Sequence, residues 1–406
     1  MIKREDSVSG VKLGWIDFSK EHRNKVISVM HLLSEPEAVD ELGIGIVRDA
    51  FSNIFFPGTS TIQTRAKYFL IVPYLLYELE HEKVSKADEL IDMLHKQETH
   101  LIQILMKSGE DGIIGSFAGS ELKRKPSDVY WNGIRTYRIF TGAKLSIYDY
   151  AKAICSLKIG KQKFKDQGSI KAKDDEIDGD DKDAVMGDLW GRFWRLPDIP
   201  NYWRDNLSIK ISNQEAVYLK NQIVSSCPDS MLCYVLQEND ADFLAIQEFD
   251  HIEGIQDKLP FELKNYYLLA KQFADFIYGT HLRYNVILSK GESNDVLEMW
   301  DIWHVGIREH ASIDLNRIFT LLARNMTLNK FLIDCQSAML QDDIERLDQL
   351  VLKREIDLKG KTRSKLNNKE DLDYKGWVGI SKLQYRLPNA KRLLRDIFDG
   401  LGEANV

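Results

Sequence analysis

His81, Lys83 and Asp88 stand at the His-x-Lys-x₄-Asp spacing of phosphodiesterases that attack phosphorus with a histidine and hold the phosphate with a lysine. That chemistry projects the pair from a strand and normally needs two copies. Here Ser85 followed by Asp88 reads as a helix cap, and none of the other eight histidines has a lysine two residues on. The spacing carries no assignment. Asp257, Glu262 and Lys264, with Asp250, imitate a second chemistry, in which carboxylates hold a divalent cation beside an acid-x-Lys on a buried strand. Glu262 follows Pro260, where acids favour a helix N-terminus. A metal-dependent nuclease on these four residues stands as one alternative. His304 and His310, six apart, are awkward for a helical metal pair. No Gly-x₄-Gly-Lys-Ser/Thr loop occurs, Gly43 and Gly45 lack the third glycine of a dinucleotide fingerprint, and Gly-x-Ser-x-Gly and His-Glu-x-x-His are absent. No catalytic residue, metal ligand or cofactor is assigned.

Binding chemistry is better represented. Lys123, Arg124 and Lys125 precede Pro126-Ser127, which opens a short helix reaching Arg138. Arg135 and Arg138 are three apart and share a face of it, with Tyr130, Trp131 and Tyr137 interleaved. A capped helix with cations on one face suits phosphate or groove docking. Arg65 and Lys67 follow Pro57-Gly58, where Ser60 and Gln63 form a capping box for a helix from residue 61. Its N-terminus can hold a phosphate. Lys391 and Arg392 add a basic edge to a terminal helix whose Leu393, Leu394, Ile397 and Phe398 face inward. Trp190, Trp194 and Trp203, beside Arg192, Arg195 and Arg204, are expected to form a surface for a protein partner.

These residues need elements to position them. Apolar residues recur at three- and four-residue spacing over 38–55, 61–80 and 87–107, so each is expected to be helical, with a kink or break at Pro73. Residues 11–18 alternate like a strand, and Ser19 caps a helix. Ser146 with Asp149 opens another helix to about residue 158, and Ser212 a further one. Residues 260–288, 313–325, 329–352 and 389–400 continue the pattern. Residues 161–183 hold almost no apolar side chains and turn from basic to acidic, as a charged linker does.

The chain has 406 residues, 44% of them hydrophobic and 29% charged, with a net charge of −7. That length allows two or three domains. The acidic balance excludes a protein coated in positive charge, so any nucleic-acid site is a local patch. The four cysteines have no Cys-x-x-Cys pair and read as buried thiols of a reducing compartment. No apolar run approaches the roughly 20 residues of a spanning helix, and no signal peptide is visible. A cytoplasmic protein without a membrane partner is expected.

Four stretches together resemble a bacterial family catalogued as domain of unknown function 6361. They are Gly14-Trp-Ile-Asp-Phe-Ser19; Asp40-Glu-Leu-Gly-Ile-Gly-Ile-Val-Arg-Asp49 with its continuation Phe56-Pro-Gly-Thr-Ser-Thr-Ile-Gln-Thr-Arg-Ala-Lys-Tyr68; Gly112-Ile-Ile-Gly115 with Pro126-Ser-Asp-Val-Tyr-Trp131; and Tyr385-Arg386 with Arg395-Asp-Ile-Phe398. The resemblance brings no catalytic residues. It implies a setting in anti-phage defence loci beside helicase or nuclease-like genes.

The expected fold is mainly α with a few short strands. A helical, winged-helix-like N-terminal unit (residues 1–160) is joined by a charged linker (161–186) to an aromatic-rich helical unit (187–406). The expected function is that of a non-catalytic, DNA-associated subunit of a defence system, working with a separate helicase or nuclease. A protein-only adaptor or inhibitor using Trp190, Trp194 and Trp203 is the third alternative.

Overall fold

The computed structural model describes residues 40–116, 122–142, 144–171, 193–205 and 207–402. The strand expected at 11–18, the helix from Ser19, and Trp190 lie outside them. The described chain is helical. In order come α1 (Gly45–Phe55), α2 (Tyr68–Leu79), α3 (Ala87–Met106), α4 (Pro126–Thr136), α5 (Ile147–Lys171), α6 (Asn213–Ser226), α7 (Met231–Glu238), α8 (Phe261–Leu288), α9 (Asn294–His304), α10 (Ile307–His310), α11 (Leu315–Thr320), α12 (Met326–Leu340), α13 (Ile344–Lys359) and α14 (Leu387–Leu401). The mainly α class is as expected. Among the described residues there is one isolated antiparallel bridge, Phe140 to Trp194, and no two-stranded wing.

Local chemistry sets most helix ends. Asp40 starts the first helix, its carboxylate accepting from the N–H groups of Ile44 at 2.9 Å and Gly45 at 2.6 Å. Ser146 and Asp149 exchange hydrogen bonds at the head of α5, and Ser212 with Glu215 forms a reciprocal box on α6. Four boundaries differ from the periodicity, the helix expected over 313–325 being reduced to α11. The apolar pattern over 38–55 becomes a helix only from Gly45. The helix expected over 329–352 is two, because Asp342 turns left-handed at φ 56° and Asp343 caps a new start at Ile344, accepting from the Arg346 N–H. α5 runs on to Lys171, into the segment expected to be linker. Pro73 lies inside α2, and the helix continues through it, buried along nearly its whole length.

The largest revision concerns residues 56–67. Instead of opening a helix at 61, they run as turns without regular structure and α2 starts at Tyr68. Gln63 does meet the N–H of Ser60 at 3.2 Å, but its amide nitrogen turns to the Gly58 carbonyl at 3.0 Å. Side chains from distant helices bind the rest. Asn389 donates to the carbonyls of Thr61 and Gln63 at 3.0 and 3.1 Å. Arg386 reaches the Thr59 carbonyl, Asn53 and Asp49 at 2.9 to 3.0 Å. The Tyr130 hydroxyl accepts from the N–H groups of Thr64 and Arg65 and donates to the Arg65 carbonyl, all within 3.0 Å.

Around this stretch the helices pack in two connected groups. α2, α3, α4 and α5 lean on one another, while α8 carries α9, α10 and α13, with α12 on α13. α14 lies along α6 and touches α7, and α1 meets both α7 and α8. A cluster of Phe51, Phe55, Phe249 and Tyr385, with ring centroids 4.7 to 6.2 Å apart, fills the space between α1 and the chain leading into α14. Residues on either side of the expected division at 161–186 are thus in direct contact.

Asp396 ties the last helix to the first turns. It accepts from Arg65 Nε at 2.9 and 3.0 Å and from the Ala66 N–H at 2.7 Å, and it is 7% exposed. Removing one partner of such a pair strands the other charge. Asp396→Ala is therefore expected to destabilise the fold by about 3–5 kcal/mol, read as a fall in the urea midpoint, with Asp396→Asn intermediate because it keeps an acceptor for Ala66.

Candidate nucleic-acid interface

α4 is the element expected to present cations. Its inner face is apolar: Val129, Tyr130, Trp131 and Ile134 are buried. Gly133 permits the closest approach, since a Cβ there would lie 2.4 Å from the Gly58 carbonyl oxygen. Trp131 donates to the Leu145 carbonyl at 3.1 Å, and Tyr137 to that of Pro57 at 3.0 Å. The helix is thus fixed on three sides, and only a short arc of it meets solvent.

What that arc offers is smaller than the sequence suggested. Lys123 and Arg124 are exposed just before the helix and make no ion pair among the described residues. Arg138 is exposed just past the other end, in a left-handed turn at φ 53°, and its own carbonyl accepts from Gln222 at 3.4 Å. Arg135 is half-buried and already has an interaction. Lys125 turns back to Thr99 Oγ1 at 2.9 Å. These five residues remain together at the ends and flank of one helix.

The other named cations serve the interior, which corrects their expected role. Arg65 is held by Asp396 and by the Asp111 carbonyl at 2.9 Å. Lys67 sits between the two oxygens of Glu215 at 2.6 and 2.8 Å. Both carboxylates come from distant segments, so neither cation presents a free charge to a phosphate. Lys391 binds the Ile246 carbonyl, leaving Arg392 and Arg395 exposed on α14.

Two of the three expected tryptophans are engaged within the fold. Trp194 is 7% exposed and donates to Glu80 at 2.8 Å inside a box of Trp131, Phe140 and Tyr150. Trp203 packs edge-on to Tyr74 and donates to Glu78 at 2.7 Å. Rings used this way fasten the chain after residue 193 onto the end of α2, with Trp194 buried there and Trp203 half-buried. The nuclease residues do not converge. Lys264 pairs with Asp257 at 2.7 Å, Asp250 pairs with Lys382, and Glu262 is exposed in the first turn of α8. Among the described residues no three His, Cys, Asp or Glu side chains are grouped to hold a metal ion. A cavity of about 460 Å³ lies elsewhere, between the end of α8 and residues 372–376, and is lined by charges of both signs.

Residues 11–178 match a family of unknown function (DUF6361). The matched part holds the 56–67 stretch and all of α4, whereas Glu215, Arg386, Asn389 and Asp396, which clamp that stretch, lie beyond it. The likeness at Tyr385 to Phe398 is likewise outside the match. No curated protein and no solved structure matches the chain. No helix among the described residues is long and apolar enough to cross a membrane.

One group under α4 gave no signal in the sequence. Glu98 is 1% exposed in the middle of α3 and faces the start of α4, where Ser127 donates its N–H at 2.6 Å and its hydroxyl lies at 3.1 Å. Burial pushes the Glu98 carboxyl up to about 8, against the pull of those hydrogen bonds. Its pKa is thus higher folded than unfolded, so the folded state binds the extra proton and stability falls as pH rises from about 4.5 to 8. Glutamine mimics the protonated acid, accepting from the N–H and donating to the hydroxyl. Glu98→Gln is expected to match the wild type at pH 5 and to exceed it in urea midpoint at pH 8.

Proposed function

We propose that the protein is a non-catalytic, DNA-associated subunit that works with a separate helicase or nuclease in bacterial anti-phage defence. The observation that carries the DNA contact is the exposure of Lys123, Arg124 and Arg138 at the two ends of α4, without ion pairs among the described residues. On a chain of net charge −7, cations held apart from carboxylates are the groups that displace counterions from a phosphate backbone. α4 is anchored on Glu98, Gly58 and Pro57, so the charges at its ends sit on a rigid support. Such contacts fix position on nucleic acid without reading bases.

The absence of recognised nucleotide-binding and hydrolase motifs favours a partner that supplies the chemistry. The defence setting, with its helicase or nuclease-like companions, rests on the family resemblance, and a cytoplasmic location on four cysteines without paired spacing.

The test is fluorescence anisotropy of labelled double- and single-stranded DNA over a salt series. The triple variant Lys123→Glu, Arg124→Glu, Arg138→Glu is expected to weaken binding to every sequence alike. Its slope of log K against log salt should become shallower by about 2 to 3 for duplex DNA. Binding and slope equal to those of the wild type would remove α4 as the contact.

A further inference from the structure

α12 presents a seam to solvent that the fold does not use. Met326 is 64% exposed, Ile333 49% and Leu340 44%, while Leu328, Phe331, Leu332, Cys335, Ala338 and Met339 face the core. The three exposed residues are seven apart, so they lie along one line of a helix. The line is symmetrical about its middle, with Met326 seven residues before Ile333 and Leu340 seven after. The same holds for charge at its ends, since the exposed Arg324 lies nine residues before Ile333 and the exposed Asp342 nine after.

We propose that this face is the contact with a second copy of the chain, two α12 helices crossing antiparallel about a twofold axis at Ile333. That arrangement sets Ile333 on Ile333 and Met326 on Leu340 of the second copy. It also sets Arg324 near Asp342 of the second copy, twice. Isologous contacts of this kind require a patch complementary to itself, and a spacing of exposed apolar and charged residues symmetrical about Ile333 satisfies that requirement. The pairing also opposes the two helix dipoles favourably.

A seam roughly 22 Å long is narrower than the ~800 Å² per partner of a standard interface. The surface continues, however. Asp342 is bound to His304 at 2.7 Å, and beside His304 the end of α9 exposes Ile302 (70%) and Val305 (90%). In the antiparallel arrangement this end of α9 lies where the Met326 end of the second α12 arrives, so both patches are covered together. Exposed apolar side chains at the end of the seam add to the surface that association would cover.

Sedimentation velocity of the full chain from about 1 to 100 μM is expected to show a monomer–dimer equilibrium. Ile333→Lys should hold the protein monomeric across that range with its thermal midpoint unchanged, because the side chain is outside the core. Ile333→Cys should give a disulfide-linked dimer under mild oxidation, whereas Thr327→Cys, exposed on another face of the same helix, should not. A wild-type monomer at every concentration, a dimer that survives Ile333→Lys, or equal cross-linking at both cysteines would each overturn the proposal. The first would assign the seam to a different protein.

Discussion

Everything in this structure is arranged around a piece of chain that cannot look after itself. Residues 56–67 are buried or half-buried yet form neither helix nor strand, so their peptide groups have no ladder to join. Beyond a few turn bonds of their own, their partners are side chains: Tyr130 and Tyr137 from the α4 region, Arg386, Asn389 and Asp396 from the last helix and its lead-in. Leaving any of these groups unpaired in a low-dielectric interior is costly, so the positions of α4 and α14 are specified by the same stretch. Lys67 extends the arrangement to α6 through Glu215, which also caps that helix.

Buried charge repeats this logic elsewhere. Glu355 of α13 is fully buried and accepts from Tyr284, Lys359, Ser364 and the N–H groups of Lys365 and Leu366, which folds residues 360–366 back over the helix end. Arg354, one residue earlier, donates to the carbonyls of Leu42 and Gly43 and so fastens the start of α1. Burial and the neighbouring Lys365 push the Lys359 ammonium down to about 8. A net charge of −7 therefore describes only part of the surface, because many of the cations are matched inside.

Local patterns were legible in the sequence where local physics decides them. The 3.6-residue periodicity of α8, the Ser146 and Ser212 caps and the Pro126 start all stand where the residues put them. The candidate site was legible only in part. Lys123, Arg124 and Arg138 are exposed as a charge pattern would have it. The fates of Arg65 and Lys67 were set by carboxylates 331 and 148 residues away, which no window of sequence can pair with them. Trp194 was misplaced for a related reason, since only the tertiary arrangement reveals Glu80 and Tyr150 as its surroundings. Ser60 and Gln63 did form one bond of a capping box, without the helix that such a box announces.

The bond between Arg65 and Asp396 also has a clock in it. At a synthesis rate of roughly 5–20 residues per second, the 331 residues separating them take on the order of 17 to 66 s to emerge from a ribosome. For that interval the 56–67 stretch exists without Arg386, Asn389 or Asp396, and its polar groups stay with water. The early helices can form meanwhile, but they cannot close over it. Contacts of such long range make folding slow and late, with apolar faces of α1 and α2 open in nascent chains. The connectivity of this fold thus leaves apolar surface uncovered until synthesis is nearly complete.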